Sequence, residues 1–381
     1  MKSVIKNCRI VSPGVDIPCG SIEINNGVIT AVTAGQTPVC SGDIDGAGLI
    51  ACPGFIDIHS HGRSNYDFCD GTQEAIATIG RDKLSDGVTG FLTTGLSVAV
   101  EDLRKLCEQA EWYKVNVTDG ATMLGVHLEG PFFEPSCAGA QNPAFLKLPD
   151  IKIVDELNAV SPVVKVSFSP ELDGALEFTR ALAERNIMPS GGHTAATYER
   201  YTDCRKAGMK HLTHFCNVMT PLHHLRFGMV GGGLLDEDVY VEMICDGVHL
   251  CDQMIQLIAK TKGVERMMVI TDSMRAAGMP DGDYTLGGLP VVVKDGCARL
   301  TTGQVAGSTL RFHNGLKHLL KVTGLPLCEA IRCTSLNQAE SLNLGKRGKL
   351  ENDFIADIVL LDQNLDPAMT ICSGIVKWHA E

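Results

Sequence analysis

The sequence has no apolar run long enough to cross a membrane. Its start, MKSVIKNCRIVS, has no unbroken apolar segment followed by a small-residue cleavage site, so no signal peptide is expected. No CxxC occurs among the fifteen cysteines, an odd number without paired spacing. That pattern excludes a zinc ribbon, speaks against a disulfide framework and leads us to expect a reducing, cytoplasmic setting. The net charge is −12 and no long Lys/Arg run is present. Nucleic acid and membrane surfaces are therefore not expected as partners, whereas a small anionic substrate needs only local donors. There is no Walker A sequence, no GxSxG and no GxGxxG after a strand-like run, so phosphate-loop, serine-hydrolase and dinucleotide chemistry lack support.

What is present is 381 residues, 44% hydrophobic and 20% charged, enough for one large core and a smaller unit. Both ends read as strands. Ile22 to Val32 alternates around the turn dipeptide Asn26-Gly27, and Ala356–Leu361 and Thr370–Trp378 are apolar and strand-like. Neither end can bury a core alone. The expectation is an α/β chain in which residues 1–53 and 345–381 join in a small β-sandwich domain and residues 54–344 are inserted between them.

The insertion has a rhythm of eight short apolar runs: Phe55–Ile58, Val88–Thr93, Met123–Leu128, Val163–Phe168, Ile187–Pro189, Lys210–Thr213, Tyr240–Ile244 and Met267–Thr271. Amphipathic stretches of helical period, such as Glu101–Lys114 and Leu172–Arg185, separate most of them. Eight strands with intervening helices predict a (β/α)8 TIM-like barrel. After the eighth, residues 284–302 carry a hairpin signal around Asp295-Gly296, a candidate flap.

Polar residues that bind metals follow five of these runs: His59, Glu129, His193, His214 and Asp272. In a barrel those strand ends open onto one face, where active sites lie. His59 and His61, at i and i+2, point to the same side and can reach one metal. Taken alone, such a pair is as readily two surface histidines; Glu129 reads equally as a cap or a solvated loop residue, and a lone His193 or His214 as a hydrogen-bonded structural residue. Their convergence favours the metal reading. A metal acidifies water and polarises a carbonyl, and Asp272, at a strand end beside it, can accept and return a proton. The residues thus point to hydrolysis.

The order HxH, Glu, His, His, Asp over barrel strands resembles the amidohydrolase superfamily, and within it the N-acetylglucosamine-6-phosphate deacetylase family. The resemblance rests on PGFIDIHSHG (53–62), GVHLEGPFFEPSCAGAQNP (125–143), SGGHTAATYE (190–199), THFCNVMTPLHH (213–224), DGVHL (246–250), TDSMRAAGMPDGDYTLGG (271–288) and AGSTL (306–310), and spans essentially the whole chain. It implies a divalent metal, zinc or iron, held by Glu129, His193 and His214. A second ion at His59 and His61 would be bridged by Glu129 and touched by Asp272, the catalytic acid/base. It implies an amino sugar phosphate as the small-molecule substrate, with Gln141 near the acetamide and His249 and the Asn217-Val218 backbone near the sugar and phosphate. It also implies a homodimer, in which an arginine of the family's Arg-Glu-Pro-Gly stretch reaches the phosphate from the neighbouring subunit. Here the stretch reads Leu225-Arg226-Phe227-Gly228, with the arginine displaced by one position and the proline gone. The deacetylase chemistry is the expectation, N-acetylglucosamine 6-phosphate the expected substrate, and another N-acetyl amino sugar, phosphorylated on galactosamine or unphosphorylated, the alternative. A different amidohydrolase or a non-catalytic binding protein is disfavoured by the long matching stretches and the complete ligand set.

Overall fold

The computed structural model describes residues 2–381. Eight parallel strands form the central barrel: β1 (Phe55–Asp57), β2 (Val88–Gly95), β3 (Thr122–Glu129), β4 (Val163–Phe168), β5 (Met188–Gly191), β6 (His211–Leu212), β7 (Tyr240–Ile244) and β8 (Met267–Ile270). Each pairs with the next in parallel register, from β1·β2 to β7·β8. The runs are mainly apolar because they are covered on both sides, by side chains within and helices without. Ile56, Leu92, Met268 and Ile270, with Leu124, Val164 and Met188, fill one apolar layer drawn from six of the strands.

Between β8 and β1 the ladder gives way to side chains. The buried Asp57 carboxylate accepts from Thr271 Oγ1 at 2.7 Å and from Thr271 N at 3.3 Å, and the Asp272 N–H bonds to His59 O at 2.9 Å. Lys83 Nζ, also buried, neutralises Asp57 at 2.8 Å. The Asp57–Thr271 contact, with Asp57 neutralised by Lys83, and a few backbone bonds beyond the strand ends therefore close the barrel in place of a continuous ladder.

The helices show why they are helices. Val100–Asn116 buries Leu103, Leu106, Cys107, Ala110 and Tyr113, the three-and-four spacing of one face. Tyr113 then donates from Oη to Ala121 O at 2.7 Å. Its ring packs so closely that a Cβ at Gly80 or Gly120 would meet Oη at 2.3 or 2.1 Å. Those positions admit only glycine.

The two ends do meet. The strand order Ile375–His379, Pro367–Cys372, Ile358–Leu361, Ile50–Pro53, Lys2–Ser12, Val15–Asn25, Val28–Ala34 interleaves them in one sheet. Ile50–Pro53 is the junction, antiparallel to Ile358–Leu361 and parallel to Lys2–Ser12. The sheet curls until its outer parts touch: Ile29 N bonds to Phe354 O and Ala356 N to Gly27 O. A core of Ile5, Ile10, Ile22, Ile24, Ile358, Leu360 and Ile371 fills the fold. Asn26 and Gly27 both take positive φ, as the expected hairpin turn requires. The expected strand Thr370–Trp378 is instead two antiparallel strands, broken at Ser373-Gly374, which also take positive φ. The flap is likewise larger than expected. Asp295-Gly296 turns between Leu289–Lys294 and Cys297–Leu300, and Gly282–Leu286 adds a third strand. Among the described residues no helix is long and apolar enough to cross a membrane.

Candidate metal centre and active site

The strand ends deliver their polar residues to one point. Glu129 is the last residue of β3, and His193, His214 and Asp272 each stand two residues beyond β5, β6 and β8. All three of these have positive φ (46°, 29° and 49°), so the chain turns sharply as it leaves each strand and aims the side chain inward. Such backbone costs roughly 1–3 kcal/mol per residue and is found where surrounding structure holds it.

Glu129 lies at the centre. Its Oε1 is 3.0 Å from His214 Nε2, 3.3 Å from His59 Nε2 and 3.4 Å from His193 Nε2; its Oε2 is 3.1 Å from His61 Nε2. Asp272 Oδ1 is 3.1 Å from His61 Nε2 and 3.6 Å from His59 Nε2. His59, His61 and Glu129 form one group able to hold a metal ion, and Glu129, His193 and His214 form another. Glu129 is common to both.

The proton inventory fits a cation. His59 Nδ1 faces a Glu242 carboxylate oxygen at 3.0 Å and His193 Nδ1 faces the Cys137 carbonyl at 3.0 Å. Both partners can only accept, so both Nδ1 atoms carry hydrogen and both Nε2 atoms turn lone pairs inward. His193 Nε2 then stands 3.0 Å from His214 Nε2. His59 Nε2 and Asp272 Oδ1 are buried without a hydrogen-bond partner. Converging lone pairs of imidazole and carboxylate are the donor set that divalent zinc or iron takes. The electrostatics show the excess of negative charge that a cation would balance in place of protons on the histidines. Burial by itself would depress His59, but Glu129, Asp272 and Glu242 lift it to about 9, and His61 is raised well above its ordinary range by Asp272 and Glu129 against the same opposition. Burial would raise Glu129, yet the surrounding histidines hold it well below the usual carboxylate range. Asp272 is lowered in the same way by His59 and His61.

A cavity of about 240 Å³ opens over this centre, lined by His61, Glu129, Gln141, His193, His214, Asn217, Val218, His249 and Asp272. Gln141 is pinned at both ends of its amide: Oε1 accepts from Ser97 N at 2.7 Å and Nε2 donates to Glu129 Oε2 at 2.6 Å. It thus braces the central carboxylate. His249 Nδ1 is held by Asp246 Oδ2 at 2.7 Å, leaving Nε2 for the cavity, and Asp246 raises its pKa against burial. Asn217 Nδ2 donates to His214 O at 3.1 Å, and Val218 sits at φ 48° on the wall. Arg226 is not brought to the cavity. It is exposed on a neighbouring surface depression of about 860 Å³ with His223, His224, Leu225 and Phe227.

Three contributors escaped the sequence reading. Leu96, and Leu286 and Gln304 from the flap region, add to the wall; Leu286 lies in the expected flap, but nothing in the sequence turned any of the three toward the site. Glu242 carried a signal that went unused: a carboxylate inside the apolar run of β7.

A (β/α)8 barrel whose strand ends converge histidines and carboxylates on one cavity defines a class, the metal-dependent barrel hydrolases. The amidohydrolase family model matches residues 50–376, and the chain belongs to that family. It is 33% identical over 383 residues to an N-acetylglucosamine-6-phosphate deacetylase of Bacillus subtilis, covering 98% of this chain and 97% of that one. It is also 33% identical over 368 residues to an N-acetylgalactosamine-6-phosphate deacetylase of Escherichia coli O157:H7, covering 96% of each. The crystal structure of N-acetylglucosamine-6-phosphate deacetylase from Thermotoga maritima superimposes with a TM-score of 0.90 at 36% identity, over 99% of this chain and 100% of that one.

Proposed function

We infer that the chain hydrolyses the acetamide of N-acetylglucosamine 6-phosphate to glucosamine 6-phosphate and acetate. The observation that carries this reading is Asp272 Oδ1, buried without a hydrogen-bond partner, at the edge of the two metal-competent groups and on the wall of the cavity. Full-length similarity to deacetylases supports the substrate class. Glu129, His193 and His214 would hold one divalent ion, zinc or iron, and His59, His61 and Asp272 would serve a second that shares Glu129. A bound cation there supplies Lewis acidity, polarising a carbonyl and acidifying water.

The chain's own residues then divide the work. Asp272 Oδ1 takes a proton from the attacking water as its oxygen bonds to the acetamide carbon. When the C–N bond breaks, Asp272 returns that proton to the departing nitrogen and its carboxylate is restored; acetic acid and the amine leave, and the acid's proton passes to the amine to give acetate and ammonium. Gln141 keeps Glu129 in place, and His249, Asn217 and Val218 meet the sugar phosphate. Leu96 and Leu286 exclude bulk water.

A second reading, N-acetylgalactosamine 6-phosphate as substrate, is favoured by equal identity to the E. coli relative. Acetate release from the two phosphorylated sugars and from unphosphorylated N-acetylglucosamine, with zinc or ferrous iron supplied, separates them. The first reading expects turnover of N-acetylglucosamine 6-phosphate above the others; preference for the epimer moves the substrate, and no release from any of them overturns the deacetylase reading. Asp272→Asn is expected to retain metal and lose turnover by about 10²–10⁴-fold, the range for general acid–base groups. A near-normal rate would remove Asp272 from its role.

The same reading includes a division of the chain into 1–53 with 345–381 and 54–344, supported by the interleaved end sheet. A homodimer is supported by the exposed apolar residues Leu222, Leu225 and Phe227. A cytoplasmic setting is supported by fifteen unpaired cysteines.

A further inference from the structure

Glu242 of β7 and Lys165 of β4 are both fully buried and joined in an ion pair across the barrel interior, since two strands lie between β4 and β7. An unpaired charge in that place would be costly, and a pair of hydrophobic residues would usually serve stability as well or better. The pair therefore needs a purpose other than stability.

The geometry supplies one. The lysine engages Glu242 Oε1, and the other oxygen, Oε2, accepts the Nδ1–H of His59 at 3.0 Å. Paired with an ammonium, the carboxylate is an acceptor only, so it admits His59 in a single orientation, hydrogen on Nδ1 and Nε2 aimed at Glu129 Oε1 and Asp272 Oδ1. Its neighbour His61 has no such backing, for its Nδ1 is buried without a partner. His193 is oriented by an unrelated group, the Cys137 carbonyl. Glu242 Oε2 also receives the backbone N–H of His214, at the longer distance of 3.4 Å, but a backbone N–H has no tautomer to select.

We propose that Glu242, anchored by Lys165, is a positioning residue that locks the tautomer of His59 and thereby sets the cation affinity of the His59–His61–Glu129 group. The proposal rests on the reading above that both groups hold metal, and it says which of the two depends on the buried pair. Carboxylates behind metal-binding histidines change metal affinity by about 10–100-fold when removed.

The test is calorimetric titration of the metal-depleted full-length protein with Zn²⁺, beside acetate release measured separately. Wild type is expected to show two binding events per chain. Glu242→Gln combined with Lys165→Met keeps an acceptor for the Nδ1–H without leaving an ammonium unpaired, and should weaken one event mildly. Because Glu242→Leu alone strands a buried lysine, the informative variant is Lys165→Met with Glu242→Leu, which removes the charges together and preserves volume. In that double variant one event should weaken by about 10–100-fold and the other hold its wild-type affinity. A purely structural role would lower the melting temperature and weaken both events alike. Equal weakening of both, wild-type affinity for both, or a wild type with one event unchanged in the double variant overturns the proposal. Two events that split as expected, with no acetate released from any sugar, would sink the substrate reading and leave this one standing.

Discussion

Gln141 shows how much a single amide can settle at this site. Its two ends are committed, one to the Ser97 N–H and the other to Glu129, and the side chain is buried. Replacement by alanine would leave a buried donor and part of a buried carboxylate without partners, each worth about 1–3 kcal/mol. Gln141→Ala is therefore expected to lower unfolding free energy by about 2–6 kcal/mol in urea denaturation, and to reduce turnover because Glu129 loses its brace. A variant as stable and active as wild type would show that water replaces the amide at no cost. His59, His61, Glu129, His193, His214 and Asp272 were legible in the sequence because each follows an apolar run and their types share one chemistry. The support behind them was not, since Glu242 and Lys165 meet only when β4 and β7 face each other across the barrel. Arg226 was connected with the phosphate of a neighbouring subunit on resemblance alone, and in the single chain it stands exposed on the surface.

Elements are held to one another by a few charged contacts that respond to pH. The helix Tyr198–Ala207 is tied to the end of Gly228–Leu235 through Asp236, which accepts from Arg205 Nε at 2.6 Å and Tyr201 Oη at 2.9 Å. Burial would raise the Asp236 carboxyl, but Arg205 and its other donors hold it down at about 2. A carboxyl lower in the folded than in the unfolded chain gives stability that is complete above the unfolded value, near 4, and is lost as pH falls toward 2. The stability difference between wild type and Asp236→Asn should accordingly shrink between pH 5 and 2 in denaturant titrations. A difference independent of pH would mean that the arginine contributes through packing alone. The barrel strands were read to within one or two residues, Val163–Phe168 and Tyr240–Ile244 among them although Lys165 and Glu242 interrupt their apolar pattern. Errors fell at turns without Asn-Gly or Asp-Gly: Ser373-Gly374 divided one expected strand, and Gly287-Gly288 added another to the flap. Such turns depend on what the neighbouring strands pack against, which local pattern does not contain.

At the scale of the molecule, barrel closure rests on Asp57, bonded to Thr271 and neutralised by Lys83, and on a few backbone bonds rather than on a continuous ladder. Lys83→Met would leave the Asp57 carboxylate buried and uncompensated, a change that costs about 3–5 kcal/mol. We expect a correspondingly lower melting temperature and, because Asp272 N bonds to His59 O at the same seam, weaker metal binding as well. Unchanged stability would mean that Thr271 alone suffices for Asp57. The interleaved ends carry a different consequence, one of time. Ile50–Pro53 leaves the ribosome early, yet its antiparallel partner Ile358–Leu361 is made only after every barrel strand. During synthesis the first hairpins must wait with an unpaired edge, and such edges invite pairing with other chains. The growing polypeptide is thus exposed to aggregation, and in need of a chaperone, through the whole interval between the emergence of Ile50–Pro53 and the arrival of its last strands.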